Sequence, residues 1–169
     1  KKQSRSRNRV FKEVLKMLSN KNQKYIFERL LKGYAVSYQP LDEDRFVFTD
    51  GVRLFIFSKE QIKFDISKCA LGDRLKEFLD GAASGRMYTP SEEIRVNDNK
   101  GKTYRRLTPE GAFASSVWVE DKFIKDYKGC TFVGCGGKRP LCALDDYGDL
   151  LAAIMPFDID GSTAEDTEE

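Results

Sequence analysis

Apolar residues recur at helical spacing in two segments near the start of the chain. Within residues 9–18 they lie three and four positions apart, on one face of a helix; they are Val10, Phe11, Val14, Leu15 and Leu18. The spacing continues over residues 25–34 with Ile26, Phe27, Leu30 and Leu31, and Gly33 suits a helix end. The pattern predicts helices over both segments, preceded by a basic arm at residues 1–8.

The hydrophobic pattern becomes typical of strands after residue 45. Residues 46–49 and 52–57 are β-branched and aromatic runs that flank Asp50-Gly51, a dipeptide that favours a tight hairpin turn. Residues 60–66 alternate as a further strand. The apolar positions between residues 71 and 79 predict a short helix that ends near Gly81.

The second half of the chain predicts more strands and one more helix. Residues 93–96 and 103–107 form a hairpin pattern, residues 117–127 are amphipathic as a helix, and residues 131–134, 141–144 and 150–155 are apolar strands. Because strands and helices are grouped, we expect an α+β fold with antiparallel sheets packed on two or three amphipathic helices.

Length and composition limit the organisation and the compartment. The chain has 169 residues, 40% of them hydrophobic, which predicts one domain over residues 9–157, with 67–114 as an uncertain insertion. Residues 158–169 are predicted to be a disordered acidic tail. No apolar run approaches the roughly 18 residues of a membrane-spanning helix. We therefore expect a soluble cytoplasmic protein without a membrane partner.

Charge is distributed unevenly, although the formal net charge is only +2. Seven of the first sixteen residues are Lys or Arg. Two predicted helices carry basic stripes, one with Arg5, Arg9, Lys12 and Lys16, the other with Lys122, Lys125 and Lys128. Such stripes are often solvated surface, but they also bind the phosphates of double-stranded DNA without reading its sequence. We predict DNA contact at these residues.

The candidate chemistry for catalysis is sparse. Histidine is absent, which excludes imidazole bases and Ser-His-Asp or Cys-His catalysis. The cysteines, at positions 69, 130, 135 and 142, contain no C-x-x-C pair, so we expect free thiols and no metal site. Paired carboxylates such as Asp145-Asp146 lie in predicted loops. We predict no enzyme and no cofactor, with a metal-dependent nuclease built from such pairs as an alternative.

Two segments resemble a known family. Phe48-Thr49-Asp50-Gly51-Val52-Arg53-Leu54 resembles the T-D-G-x-R-L segment of the bacterial β sliding clamp, the processivity subunit of the replicative DNA polymerase. The carboxyl end, Lys138-Arg139-Pro140-Leu141 through Ile154-Met155-Pro156-Phe157, is similar to the final hairpin of that clamp. The resemblance covers residues 9–66 and 115–157.

The resemblance implies a clamp-like domain in which basic helices face DNA. It also implies a hydrophobic pocket for short peptides of a DNA polymerase or another clamp-binding protein. Carried over by position, that pocket comprises Thr49, Gly51, Arg53, Leu54, Met155, Pro156 and Phe157. The implied function is that of a DNA-replication or repair accessory factor, as expected from a phage or mobile element.

The chain departs from the family in size. Family clamps carry three such domains per chain and close a ring of six as a dimer, whereas this chain has room for one. A closed ring therefore requires a homo-oligomer of about six copies. The alternative is a clamp-fold protein-interaction module that keeps the peptide pocket and binds no DNA.

Overall fold

The longest element is helix α1, which spans Lys2–Leu31. The structure, a computed structural model, describes residues 2–97, 101–111 and 115–159; the side chains of residues 2–11 and 15 lie outside the description. The two predicted helical segments are one helix, because no Gly or Pro interrupts residues 19–24. It begins within the segment predicted as an arm and ends where Gly33 takes a φ of +76°.

Contacts divide the chain into a first unit, Lys1–Lys76, and a second unit, Glu77–Glu169. The first unit contains α1 and four strands: β1 (Ser37–Pro40), β2 (Arg45–Thr49), β3 (Arg53–Ser58) and β4 (Ala70–Leu71). Their order is β4-β1-β2-β3. All pairs are antiparallel except β1 with β4. The predicted hairpin is confirmed, and its closing pair is Thr49 opposite Leu54.

The strand predicted at residues 60–66 is wrong. Lys59–Gln61 and Ile66–Lys68 are 3₁₀ turns. The reason lies on α1, where the buried amide of Gln23 donates to the carbonyl of Gln61 at 2.6 Å and accepts from the Lys63 N–H at 2.9 Å. Backbone groups that a strand would pair with a neighbour are thus satisfied by one side chain.

The second unit is built on six strands among its described residues. Helix α2 (Leu75–Ala83) leads into them, and helix α3 (Asp121–Asp126) follows the third of them. The strands are β5 (Arg86–Asn97), β6 (Lys102–Pro109), β7 (Val117–Glu120), β8 (Thr131–Gly134), β9 (Leu141–Leu144) and β10 (Leu150–Ile154). Their order is β10-β9-β8-β5-β6-β7, with every pair antiparallel.

This six-stranded sheet curls so that the segment after its last strand meets the strand at its opposite end. The Phe157 N–H donates to the carbonyl of Trp118 on β7 at 2.7 Å. The Phe157 ring stacks on Tyr104 of β6 with centroids 4.4 Å apart. Both contacts hold the end of the described chain against β6 and β7.

The predicted helix over residues 117–127 is wrong in its first part. Val117–Glu120 is strand β7, and only Asp121–Asp126 is helical. Val117 and Val119 are buried and alternate with half-buried neighbours, a period of two that packing against β6 selects. The predicted strands at 131–134 and 141–144 are confirmed with the same bounds, and the last one ends at Ile154.

The stretch 67–114, in which the sequence predicts a short helix ending near Gly81 and a hairpin, contains helix α2, which ends at Ala83, and supplies the middle of the second sheet. Strand β5 lies between β8 and β6. The α+β class is confirmed. Within the described chain, no helix is long and apolar enough to cross a membrane. Residues 160–169, most of the predicted tail, lie outside the described residues.

Candidate functional site

A groove of about 600 Å³ lies in the second unit. One wall is residues 87–92 of β5, and the other is residues 128–132, which lead into β8. Ile124 and Lys125 of α3 and Arg105 of β6 complete the lining. The volume is in the range of sites that hold small molecules or short peptide segments.

The groove exists because β5 separates from β8. The two strands pair only from Arg86 opposite Gly134 to Tyr88 opposite Phe132. At Gly85 the backbones approach so closely that a Cβ atom would collide with the Gly134 carbonyl oxygen, so only glycine fits there. Beyond Tyr88 the β5 ladder with β6 is irregular between Pro90 and Ile94, which turns β5 away from β8.

An ionic cluster around the buried Asp121 supports one side of the groove. Asp121 at the start of α3 accepts from Arg105 Nε at 2.6 Å and lies 2.7 Å from Lys125 Nζ, while its own side chain is 2% exposed. Burial by itself raises the pKa of Asp121, but hydrogen bonds from Lys125 and Arg105 outweigh it and lower the pKa below its usual range. Asp121 is therefore ionised at neutral pH.

The same arginine fixes the irregular part of β5. Arg105 Nη1 donates to the Ser91 carbonyl at 2.7 Å. The Ser91 hydroxyl donates to the Arg106 carbonyl at 3.0 Å and accepts from the Glu93 N–H at 3.2 Å. The bulge is thus held by side chains where ladder bonds are missing, and the groove wall is preorganised.

The groove combines an apolar base with a basic rim. Tyr88, Ile124 and Phe132 are buried, and Met87 is 44% exposed. Lys125 and Lys128 are exposed at the rim. Burial, with the charges of Asp145 and Asp146, raises the pKa of Cys130 to about 11. Its thiol is neutral and is not a nucleophile at physiological pH.

The predicted DNA-binding residues occupy different positions. Lys12 and Lys16 are exposed on α1, and the side chains of Arg5 and Arg9 lie outside the description. Lys122, Lys125 and Lys128 are exposed at α3 or just beyond it. Lys125 and Lys128 line the groove, whereas Lys122 does not.

The predicted peptide pocket divides between the two units. In the first unit Thr49 and Leu54 are buried, and the Thr49 hydroxyl accepts from the Gly51 N–H at 2.9 Å, with Gly51 at a φ of +90°. The half-buried Arg53 guanidinium lies 5.1 Å from the Tyr25 ring centroid. These residues shape the turn between β2 and β3.

The pocket residues of the second unit follow β10. Met155, Pro156 and Phe157 are half-buried, and Phe157 is engaged with Tyr104. Since each half of the pocket belongs to a separately described unit, the joint pocket stays a prediction.

Asp50, within the same motif, has four close contacts among the described residues of the first unit. Its Oδ2 accepts from the Tyr25 hydroxyl at 2.6 Å and lies 3.0 Å from Arg29 Nε, whose N–H is not aligned for a hydrogen bond. Its Oδ1 accepts the N–H groups of Val52 and Arg53, each at 3.0 Å. Asp50 thus joins the turn to helix α1.

Asp145, from the carboxylate pair considered for metal binding, has a structural role in the described chain. Asp145 accepts from the N–H groups of Tyr147 and Asp149 at 2.9 Å each, which makes it a turn residue. Within residues 2–97, 101–111 and 115–159, no three His, Cys, Asp or Glu side chains converge to hold a metal ion.

Comparisons with protein families, with curated proteins and with solved structures found no match.

Sequence reasoning did not identify Arg105, Asp121 or Ser91. Asp121 follows Glu120 after the apolar run of residues 117–119, and the sequence does not distinguish which of the two acids is buried. Nothing in the sequence indicated that Arg105 of a different strand would lie beside it.

Proposed function

We propose that this chain is a non-enzymatic, cytoplasmic DNA-binding accessory protein of replication or repair, with a domain similar to a sliding clamp. The observation that carries the proposal is the amino-terminal half of α1. The described side chains from Lys12 to Met17 are all exposed, and those of Leu18 and Ser19 are half-buried. A long basic helix with an open surface suits contact with DNA phosphates.

Charge on this half of α1 supports the proposal. Lys12 and Lys16 are one turn apart and so project from the same side of the helix. Among the side chains that the structure describes, none forms an ion pair with either lysine. Ammonium groups in this state exchange loosely held counterions for DNA phosphates, which drives sequence-independent binding.

The rest of the proposal follows from the resemblance to sliding clamps. The exposed Lys122 of α3, which does not line the groove, would supply a second DNA contact, and a polymerase or another clamp-binding protein would use the pocket formed by the two motifs. Encirclement of DNA would need about six copies in a ring.

The test is DNA affinity as a function of salt for the double variant Lys12→Glu with Lys16→Glu. We expect weaker binding of a labelled duplex by fluorescence anisotropy, and a log-affinity against log-salt slope reduced by about two, because two phosphate contacts are lost. Lys24→Glu with Lys32→Glu is the matched control, since these exposed residues change the net charge equally. An equal loss of DNA affinity in both double variants, or no DNA binding by the parent, would refute the proposal.

A second candidate, an interaction module that binds no DNA, is favoured by the groove of the second unit. Its apolar base and basic rim are fitted to a ligand of mixed character rather than to a uniform row of phosphates. No observation in the described part of the chain favours a nuclease.

A further inference from the structure

We propose that the groove of the second unit binds an extended acidic peptide segment with interspersed apolar side chains, supplied by a partner protein. The groove is separate from the pocket implied by the clamp resemblance, since none of its lining residues belongs to that pocket. The inference does not depend on DNA binding by α1.

The shape of the groove suits an extended chain. Its β5 wall is formed by six consecutive residues, 87–92, which span about 20 Å at the rise of a strand. The facing wall, 128–132, is also a continuous segment. The groove opens at the point where the β5–β8 ladder ends at Tyr88 opposite Phe132. A peptide between the two walls would therefore lie in line with the strands of the sheet.

The charges of the groove select an acidic occupant. Its lining has three cations, Arg105, Lys125 and Lys128, against one acid, Glu92. Arg105 uses Nε and one hydrogen of Nη1 within the protein, and a guanidinium has five N–H donors. Lys125 contacts Asp121, but its side chain is still 69% exposed, so it can also contact a ligand carboxylate.

The apolar residues of the groove select apolar side chains and disfavour nucleic acid. Met87 and Pro90 are exposed in the lining, and the flexible Met87 side chain gives an adaptable apolar contact. Single strands bind by stacking bases on open aromatic faces. The two aromatic rings of the groove, Tyr88 and Phe132, are buried and present no such face.

The wall is already fixed without a ligand. Asp121 orients Arg105, and Arg105 holds the Ser91 carbonyl. Binding therefore does not have to order the bulge, which lowers the entropic cost of association.

The binding test uses the full chain and three labelled hexapeptides. One alternates glutamate with leucine, the second alternates glutamate with serine, and the third alternates lysine with leucine. We expect the glutamate-leucine peptide to bind at least about tenfold more tightly than either other peptide, because only it satisfies both rim and base. Equal binding of all three, or none by the first, would overturn the proposal.

Two single variants locate the peptide. Lys128→Glu and Met87→Asp change exposed lining residues, and each should lower the affinity for the glutamate-leucine peptide about five- to tenfold. Lys138→Glu is the matched control, because it is exposed, carries the same charge change and does not line the groove. Thermal melts by circular dichroism check that the variants stay folded. An equal loss in Lys138→Glu would contradict a localised site.

Backbone amide shifts in NMR spectra provide a readout that does not rely on substitution. Perturbations confined to residues 87–92 and 124–132 support the proposal, and perturbations centred elsewhere overturn it. The variant Lys12→Glu with Lys16→Glu should bind the peptide as the parent does, so failure of DNA binding is distinguishable from failure of the groove. Displacement of the peptide by equimolar duplex DNA would show that the groove binds DNA instead.

Discussion

Among the residues that the structure describes, a nearly inaccessible carboxylate with a cationic partner occurs in each unit, and the two are used differently. Asp50 in the first unit has a side-chain exposure of 0%, and Asp121 in the second has 2%. All four close contacts of Asp50 lie within a turn and the helix beside it. Asp121 holds two cations that also line an open groove.

The difference shows that a buried carboxylate can either stabilise a turn or position cationic side chains that remain accessible to a ligand. Two of the partners of Asp50 are backbone N–H groups, which have no other task than to form the turn. The partners of Asp121 are side chains from β6 and α3 that retain donors for a ligand. A buried carboxylate marks a candidate site only when its partners reach open space.

The largest expected effect is on the stability of the first unit. Asp50→Ala removes the acceptor for the Tyr25 hydroxyl and for two backbone N–H groups, and leaves Arg29 without its carboxylate. We expect a loss of about 3 to 4 kcal/mol in the free energy of unfolding, measured by urea titration.

Asp42→Ala is the control for that variant. Asp42 accepts two backbone N–H groups in a similar turn and contacts Arg45, but its side chain is 42% exposed. Water replaces its contacts, so the expected loss is much smaller than that of Asp50→Ala. Similar losses in both variants would show that burial of Asp50 is not what matters.

Asp121→Asn should have a smaller effect on stability and a clear effect on its pH dependence. We expect a loss of about 2 kcal/mol, because Lys125 can turn to solvent while Arg105 loses a charged acceptor. The pKa of Asp121 is lowered in the folded state. Its contribution is therefore complete above the unfolded pKa of about 3.9 and is lost as pH falls through the folded pKa.

Urea titrations of parent and variant between pH 7 and pH 2 test this linkage. The difference in the free energy of unfolding between parent and variant should become smaller as pH falls below about 4. A difference that is constant over this range would show that Asp121 is not ionised in the folded protein.

The smallest effect is expected at the hydroxyl of Tyr25. Burial, together with the hydrogen bond to Asp50 and its charge, raises the pKa of Tyr25 to about 12. Tyr25→Phe should cost about 1 kcal/mol near neutral pH. Because the folded pKa is raised, the contribution is complete below about pH 10 and is lost as pH rises towards 12. Tyrosinate absorbance should show one fewer late-titrating tyrosine in the variant.

Local sequence signals predicted those elements whose apolar pattern agreed with their packing. The Asp50-Gly51 hairpin and the strands at 131–134 and 141–144 were predicted within a residue or two. Prediction failed at residues 60–66, where Gln23 of a distant helix satisfies the backbone. It also failed at residues 117–120, where pairing with β6 selects a strand.

The candidate site was predictable only in its exposed part. Lys125 and Lys128 were identified as a basic cluster because their charges and spacing are visible in the sequence. Arg105 and Ser91 come from two other strands, and their relation to Asp121 depends on the β5–β6 register and on the bulge in β5. The β5–β6 hairpin was predicted from the sequence, but the bulge between Pro90 and Ile94 and the contact of Arg105 with Asp121 were not.

The sequence by itself determined the α+β class, the absence of histidine chemistry and the concentration of basic residues on α1 and α3. These are properties of composition and period, which each segment carries regardless of its neighbours. Tertiary structure alone decided which carboxylate became a turn anchor, which became the support of a groove, and that β5 leaves β8 after Tyr88. Those outcomes depend on contacts between residues far apart in the chain, because burial and strand pairing are set only when such residues meet.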